Sequence, residues 1–126
     1  MTWTFVQASG KLLNPQGQYV VTGYAGGNCG KNPEGINNTS MEEVGCIGPL
    51  PRGTYIINDP QDSAKLGPYA MSLSPNPANK MFGRSGFFIH GDSVTKPRGA
   101  SEGCIILPRQ IREEIHASGD HTIIVV

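Results

Sequence analysis

The chain has 126 residues, room for one compact domain and too few for two ordinary ones. Ten basic residues balance ten acidic ones, which excludes a global field steering the protein toward nucleic acid or an anionic membrane. Seventeen glycines and ten prolines punctuate a hydrophobic fraction of 37%, the texture of a β-rich domain with many turns rather than of a disordered chain.

Trp3, Phe5 and Gln7 alternate with Thr2, Thr4 and Val6, the pattern of a half-buried strand. The same segment has neither the basic nor the apolar region of a signal peptide, and no stretch approaches the roughly 18 apolar residues of a membrane span. That leaves a cytoplasmic protein, one exported without a cleaved signal, or one whose leader lies outside this sequence, and composition does not choose among them. Asn14-Pro15-Gln16-Gly17 reads as a turn, and residues 18–24 as a second strand, so the chain is expected to open with a hairpin. Residues 25–48 are rich in Gly and Asn and lack periodicity; so long a segment inside a small domain is usually functional or mobile. Residues 54–58, 70–74 and 87–90 are further strands bounded by Gly or Pro, and 104–107 is a short apolar run of the same kind. One helix is marked by Pro108 for its first turn, Ile111 and Ile115 on one face, and Gly119 to end it. Residues 122–126 close the chain as a β-branched strand. The expectation is a single mainly β domain over residues 1–126 with one short helix near its C-terminus.

The three cysteines divide unevenly: Cys29 and Cys46 share the Gly/Asn-rich stretch, and Cys104 stands apart. Either the first two form a disulfide and leave Cys104 as a free reactive thiol, or all three are reduced; spacing does not choose. No CxxC or HxxxH pair exists, so no metal site is expected.

Phe87-Phe88-Ile89-His90-Gly91-Asp92 delivers a histidine to the end of a strand, where Gly91 breaks the pattern. Ala100-Ser101-Glu102-Gly103-Cys104-Ile105 then presents a cysteine on a Gly-containing loop just ahead of an apolar run. Thiol catalysis needs such a pairing, because the thiolate attacks and a nearby imidazole lowers the thiol pKa or takes its proton. Gly103 lets the backbone come close to a substrate, and amides around Gly103 and Cys104 are candidate donors to the oxyanion of the attacked carbonyl. A cysteine beside Ile105-Ile106-Leu107 is usually buried and inert, and a histidine after an apolar run is often a hydrogen-bonded core residue. Spacing alone suggests the chemistry and no more.

His90-Gly91 followed by Ser101-Glu102-Gly103-Cys104 resembles the active-site signature of the YkuD-like L,D-transpeptidases, and Gly48-Pro49-Leu50-Pro51-Arg52-Gly53-Thr54-Tyr55 resembles their upstream Pro-x-Gly-Thr-aromatic segment. Gly23-Tyr24-Ala25-Gly26, the Asn-rich loop, Gly83-Arg84-Ser85-Gly86-Phe87 and Ser101-Glu102-Gly103-Cys104-Ile105 are similar to one branch, the L,D-transpeptidase effectors of bacterial type VI secretion (Tlde). The resemblance implies an L,D-transpeptidase-like β-sandwich with Cys104 as nucleophile and His90 as base. The peptide region at Gly91 would orient the imidazole, and Ser101 would support the loop or contact substrate. The implied substrates are peptidoglycan stem peptides, attacked at the third residue (meso-diaminopimelate) where it joins the D-alanine at position four. Water would resolve the acyl-enzyme as an L,D-carboxypeptidase, or an amine as an exchange or cross-linking enzyme, with no metal or organic cofactor.

The same resemblance implies an effector injected into a neighbour's periplasm, with a secretion apparatus and an immunity protein as partners. In that oxidising compartment a Cys29–Cys46 disulfide is easier to form. Two places depart from the wider family, which has His before the Gly-Cys and Arg two residues after the Cys; here they hold Glu102 and Ile106. Arg84, Arg98 and Arg109 are the candidates to hold a substrate carboxylate instead, by the bidentate fork of a guanidinium. A papain-like endopeptidase would place Cys before His, the reverse of the order here. A non-catalytic cell-wall-binding module is the reading in which the pair carries no chemistry.

Overall fold

The computed structural model describes all 126 residues. In chain order the elements are β1 (Thr2–Val6), β2 (Lys11–Leu13), β3 (Tyr19–Thr22), β4 (Tyr24–Ala25), β5 (Gly53–Ser63), β6 (Gly67–Pro75), β7 (Phe88–His90), β8 (Ile105–Ile106), α1 (Arg109–Ala117) and β9 (Thr122–Val125). All nine strands join one hydrogen-bonded sheet in the order β3-β2-β1-β9-β5-β6-β7-β8-β4. The fold is mainly β with its helix near the C-terminus, and no helix is long and apolar enough to cross a membrane.

The two edges of this sheet are β3 and β4, yet only Gly23 separates them in the chain. The sheet therefore curls until its edges meet. At the junction the Gly23 amide donates to the Gly10 carbonyl at 2.7 Å, and a side chain at position 23 would collide with the Ile106 carbonyl. Only glycine permits that approach. The strands of the expected sandwich thus belong to one hydrogen-bonded sheet whose two edge strands are joined through the chain at Gly23. The hollow it encloses is filled by Trp3, Phe5, Leu12, Tyr55, Ile89 and Ile123 among a core of 16 buried residues, onto which α1 packs Ile115 and, at its edge, Ile111.

Several expectations are corrected. The opening hairpin is a three-stranded meander, because β2 intervenes between β1 and β3. The run 18–24 is cut at Gly23, its first part pairing with β2 and its second with β8. Curling forces the cut, since one straight strand cannot serve both edges. Residues 25–48 hold two short 3-10 turns, Pro33–Gly35 and Thr39–Met41, and spend their asparagines on the backbone: Asn37 Oδ1 accepts from the Ala25 amide at 3.0 Å and Asn38 Oδ1 from Ser40 at 3.1 Å. The Cys29–Cys46 bridge is not formed, and all three thiols are free. Instead of a partner sulfur, Cys29 Sγ meets Glu102 Oε1 at 3.6 Å.

The β5–β6 hairpin extends past the expected 54–58 and 70–74 strands to Ser63 and Gly67. Its outer part, Asn58-Asp59-Pro60-Gln61-Asp62, carries no apolar alternation, and Pro60 sits beside an irregularity in register. A hydropathy reading misses such a segment. It matters because its tip reaches the cavity described next.

Candidate active site

Parallel pairing of β7 with β8 sets Ile89 opposite Ile105 and His90 opposite Ile106. One step back, Cys104 lies opposite Phe88, whose amide donates to Cys104 Sγ at 3.3 Å. Side chains alternate along a strand, so Ile89, Ile105 and Leu107 enter the core while His90 and Cys104 share the other face. There they line one cavity of about 900 Å³ together with Phe88, Arg84, Lys65 and Glu102.

His90 Nδ1 is 2.9 Å from the Gly91 carbonyl oxygen. A carbonyl only accepts, so Nδ1 carries the proton and the lone pair of the neutral ring is on Nε2. That atom is buried and has no hydrogen-bond partner in the protein. Burial pushes the His90 pKa down, with the Gly91 bond opposing and Arg112 reinforcing the shift. Burial also pushes the Cys104 thiol up, against a smaller lowering by the Phe88 amide. At neutral pH the pair rests as thiol and neutral imidazole rather than as a preformed thiolate and imidazolium. Such an imidazole keeps on Nε2 the lone pair that a base needs.

Ser101 is fully buried and its hydroxyl is saturated. It accepts from Gly26 at 2.8 Å and Gly103 at 3.0 Å and donates to the Cys104 carbonyl at 2.6 Å. Of the two expected roles it fills loop support, with no bond left for a substrate. Gly103 stands at φ +133°, and a side chain there would meet Arg84 and Phe87 at 2.7 Å. Its amide is taken by Ser101, whereas the Cys104 amide is directed toward its own sulfur and donates to no oxygen of the protein.

The three arginines part ways. Arg84 lines the cavity, but its terminal nitrogens donate to the carbonyls of Glu42, Pro49, Gly48 and Glu102 at 2.6, 2.7, 3.0 and 3.3 Å. It ties the 42–49 loop to the cysteine loop. Arg98 lies over the Tyr24 ring at 5.2 Å, outside the cavity lining. Arg109 pairs with Glu113 at 3.2 Å and faces a separate, smaller cavity. The exposed cation that does line the Cys104 cavity is Lys65, at the hairpin tip, which the motif pattern did not single out. Arg112 was also missed. It is buried on α1 and donates to the Leu107, Pro68 and Tyr69 carbonyls, anchoring that hairpin to the strand after the cysteine. Only the helical position of Arg112, one residue after Ile111 and three before Ile115, hinted at burial.

A family model described as the Tlde1 domain matches residues 23–123. The chain belongs to the Tlde1 domain family. This is the type VI effector branch that the motifs resemble, and the match contains His90, Ser101, Gly103 and Cys104 together with β4 to β8. No curated protein and no solved structure matches the chain.

Proposed function

We propose that this Tlde1 domain is an antibacterial effector that cleaves peptidoglycan stem peptides through a Cys104 acyl-enzyme, as an L,D-carboxypeptidase, an exchange enzyme or both. One observation carries the reading: His90 is fixed through Nδ1 on the Gly91 carbonyl, with an unpartnered, buried Nε2 on the same sheet face and cavity as the Cys104 thiol. A structural histidine has no reason to leave its second nitrogen unsatisfied in a buried place.

In the proposed reaction the Cys104 proton passes to His90 Nε2 as sulfur bonds to the carbonyl carbon of the third stem residue. The Cys104 amide faces the developing oxyanion. As the C–N bond to D-alanine breaks, imidazolium returns the proton to the leaving amine. Water then attacks the thioester, with His90 again as base, and gives a tripeptide; a D-amino acid attacking in its place gives an exchanged tetrapeptide. The site of action is the periplasm of a target cell, and the partners are a secretion apparatus and an immunity protein.

Incubation with tetrapeptide muropeptides, read by mass spectrometry, is expected to give tripeptides and free D-alanine, with exchanged product when D-methionine is in excess. Cys104→Ala and His90→Ala are each expected to remove all turnover, since the two groups act as one unit. Because burial lowers the His90 pKa, kcat/KM should hold to a pH below the ordinary imidazole range before it falls. Tetrapeptides that survive the wild-type protein would turn the reading toward the non-catalytic wall-binding module.

A further inference from the structure

The cavity before Cys104 holds two charges that the fold leaves unused. Lys65 stands at the tip of the β5–β6 hairpin and makes neither an ion pair nor a hydrogen bond; the salt bridges of the molecule join Met1 to Asp120, Arg52 to Glu42 and Arg109 to Glu113. Glu102 lines the same cavity two residues before the nucleophile, and its carboxylate meets only the Cys29 thiol. The other charged groups of the lining are occupied. Arg84 holds four carbonyls, and Asp92 accepts from the Tyr24 hydroxyl at 2.6 Å and from the Ser93 and Arg98 amides at 2.9 and 3.0 Å.

Lys65 and Glu102, of opposite sign, line the same cavity as the Cys104 sulfur, and Cys29 lines it with them. A cation and an anion thus border the reacting atom without pairing with each other. A ligand of single charge would be attracted by one and repelled by the other. A ligand carrying both charges close together satisfies the two at once.

We propose that Lys65 and Glu102 select a zwitterionic side chain, an ammonium and a carboxylate on one carbon, with Glu102 receiving the ammonium and Lys65 the carboxylate. The inference rests on the stem-peptide reading above and deepens it. In a stem, that group is the far end of diaminopimelate, whereas lysine in its place offers the ammonium alone. The carboxylate-holding cation is then Lys65 rather than any of the three arginines that the motif pattern favoured.

The test uses three synthetic tetrapeptide stems that differ only in the third residue: meso-diaminopimelate, L-lysine and Nε-acetyl-L-lysine. The wild-type chain is expected to favour diaminopimelate over lysine in kcat/KM by about tenfold, equivalent to about 1.4 kcal/mol, and lysine over acetyl-lysine by a similar factor. Lys65→Gln should bring the first ratio close to one, with Lys65→Arg restoring it. Glu102→Gln should do the same to the second, with Glu102→Asp restoring part. Ratios cancel any effect of either charge on thiol reactivity, so a merely electrostatic or structural role would leave them unmoved. If no stem is turned over, the same ratios are read as Kd by calorimetry on Cys104→Ala, which separates failure of the chemistry from failure of the charge selection. Wild-type ratios that persist in both Gln variants, or an absence of binding, would overturn the proposal.

Discussion

The two ends of the sheet are held by different means. Around β9, the β1 and β5 strands pair over four register positions each, and backbone ladders do most of the holding. At the other end β7 has three residues and β8 two, too short to be stable by pairing alone. There polar side chains stand in for the missing ladder: half-buried Arg84 and buried Arg112 and Ser101 each bind backbone carbonyls or amides across the chain. Short strands leave the histidine and cysteine at their ends, open to a cavity, and the side-chain clamps fix the loops that carry them. The ladder end gives stability; the clamped end gives a site.

Arg84→Met offers the strongest way to break this contrast. It strips donors from the Glu42, Gly48, Pro49 and Glu102 carbonyls at one stroke. An unmet polar group costs about 1–3 kcal/mol when buried, and with three of these bonds part-buried and one exposed a loss of about 3 kcal/mol in urea unfolding is expected. Lysine at 84 should not restore it, because an ammonium lacks the planar fork. Ile56→Ala on the ladder end, where the side chain is 48% exposed, should stay within about 1 kcal/mol. Equal costs at the two positions would erase the distinction.

Ser101→Ala sharpens the contrast at a smaller scale. The variant leaves the Gly26 and Gly103 amides without their acceptor, at a cost of roughly 2 kcal/mol. Because the hydroxyl has no bond left for a ligand, the activity loss should appear in kcat more than in KM. A rise in KM at constant kcat would instead make Ser101 a substrate contact.

The smallest effect concerns pH. Glu42 joins the two regions, accepting from Gln7 at 3.1 Å and from the Arg52 guanidinium at 2.7 Å, and the Arg52 hydrogen bonds hold its pKa down at about 2. A folded value below the unfolded one means that the ionised form favours the fold. This contribution is complete above the ordinary carboxylate range and is lost as pH falls from there toward about 2. Thermal melts across that window should show the wild type losing stability faster than Glu42→Gln. Parallel curves would show that the pair is only a solvated surface contact.

Local pattern determined much of this protein from sequence alone. Alternation gave β1, β-branched and aromatic runs gave β7 and β9, a short apolar run gave β8, and Ile111, Ile115 and Gly119 marked α1, because burial selects apolar side chains and, on one face only, imposes period 2 or 3.6. The order His90-Gly91, then Ser101-Glu102-Gly103-Cys104, nominated a candidate pair once the family resemblance stood beside it. Tertiary structure decided what depends on partners distant in the chain. The split at Gly23 follows from closing the sheet against Gly10 and Ile106. The outer β5–β6 hairpin has no hydrophobic signature, so its Lys65 reached the cavity unannounced. Arg84 was a candidate to hold a substrate carboxylate and Arg112 drew no role, yet both are turned inward by carbonyls 18 to 44 positions away or within a few residues. Charge in a sequence records that a group is ionic; only the fold decides whether its hydrogen bonds go to its own backbone or remain free for a ligand.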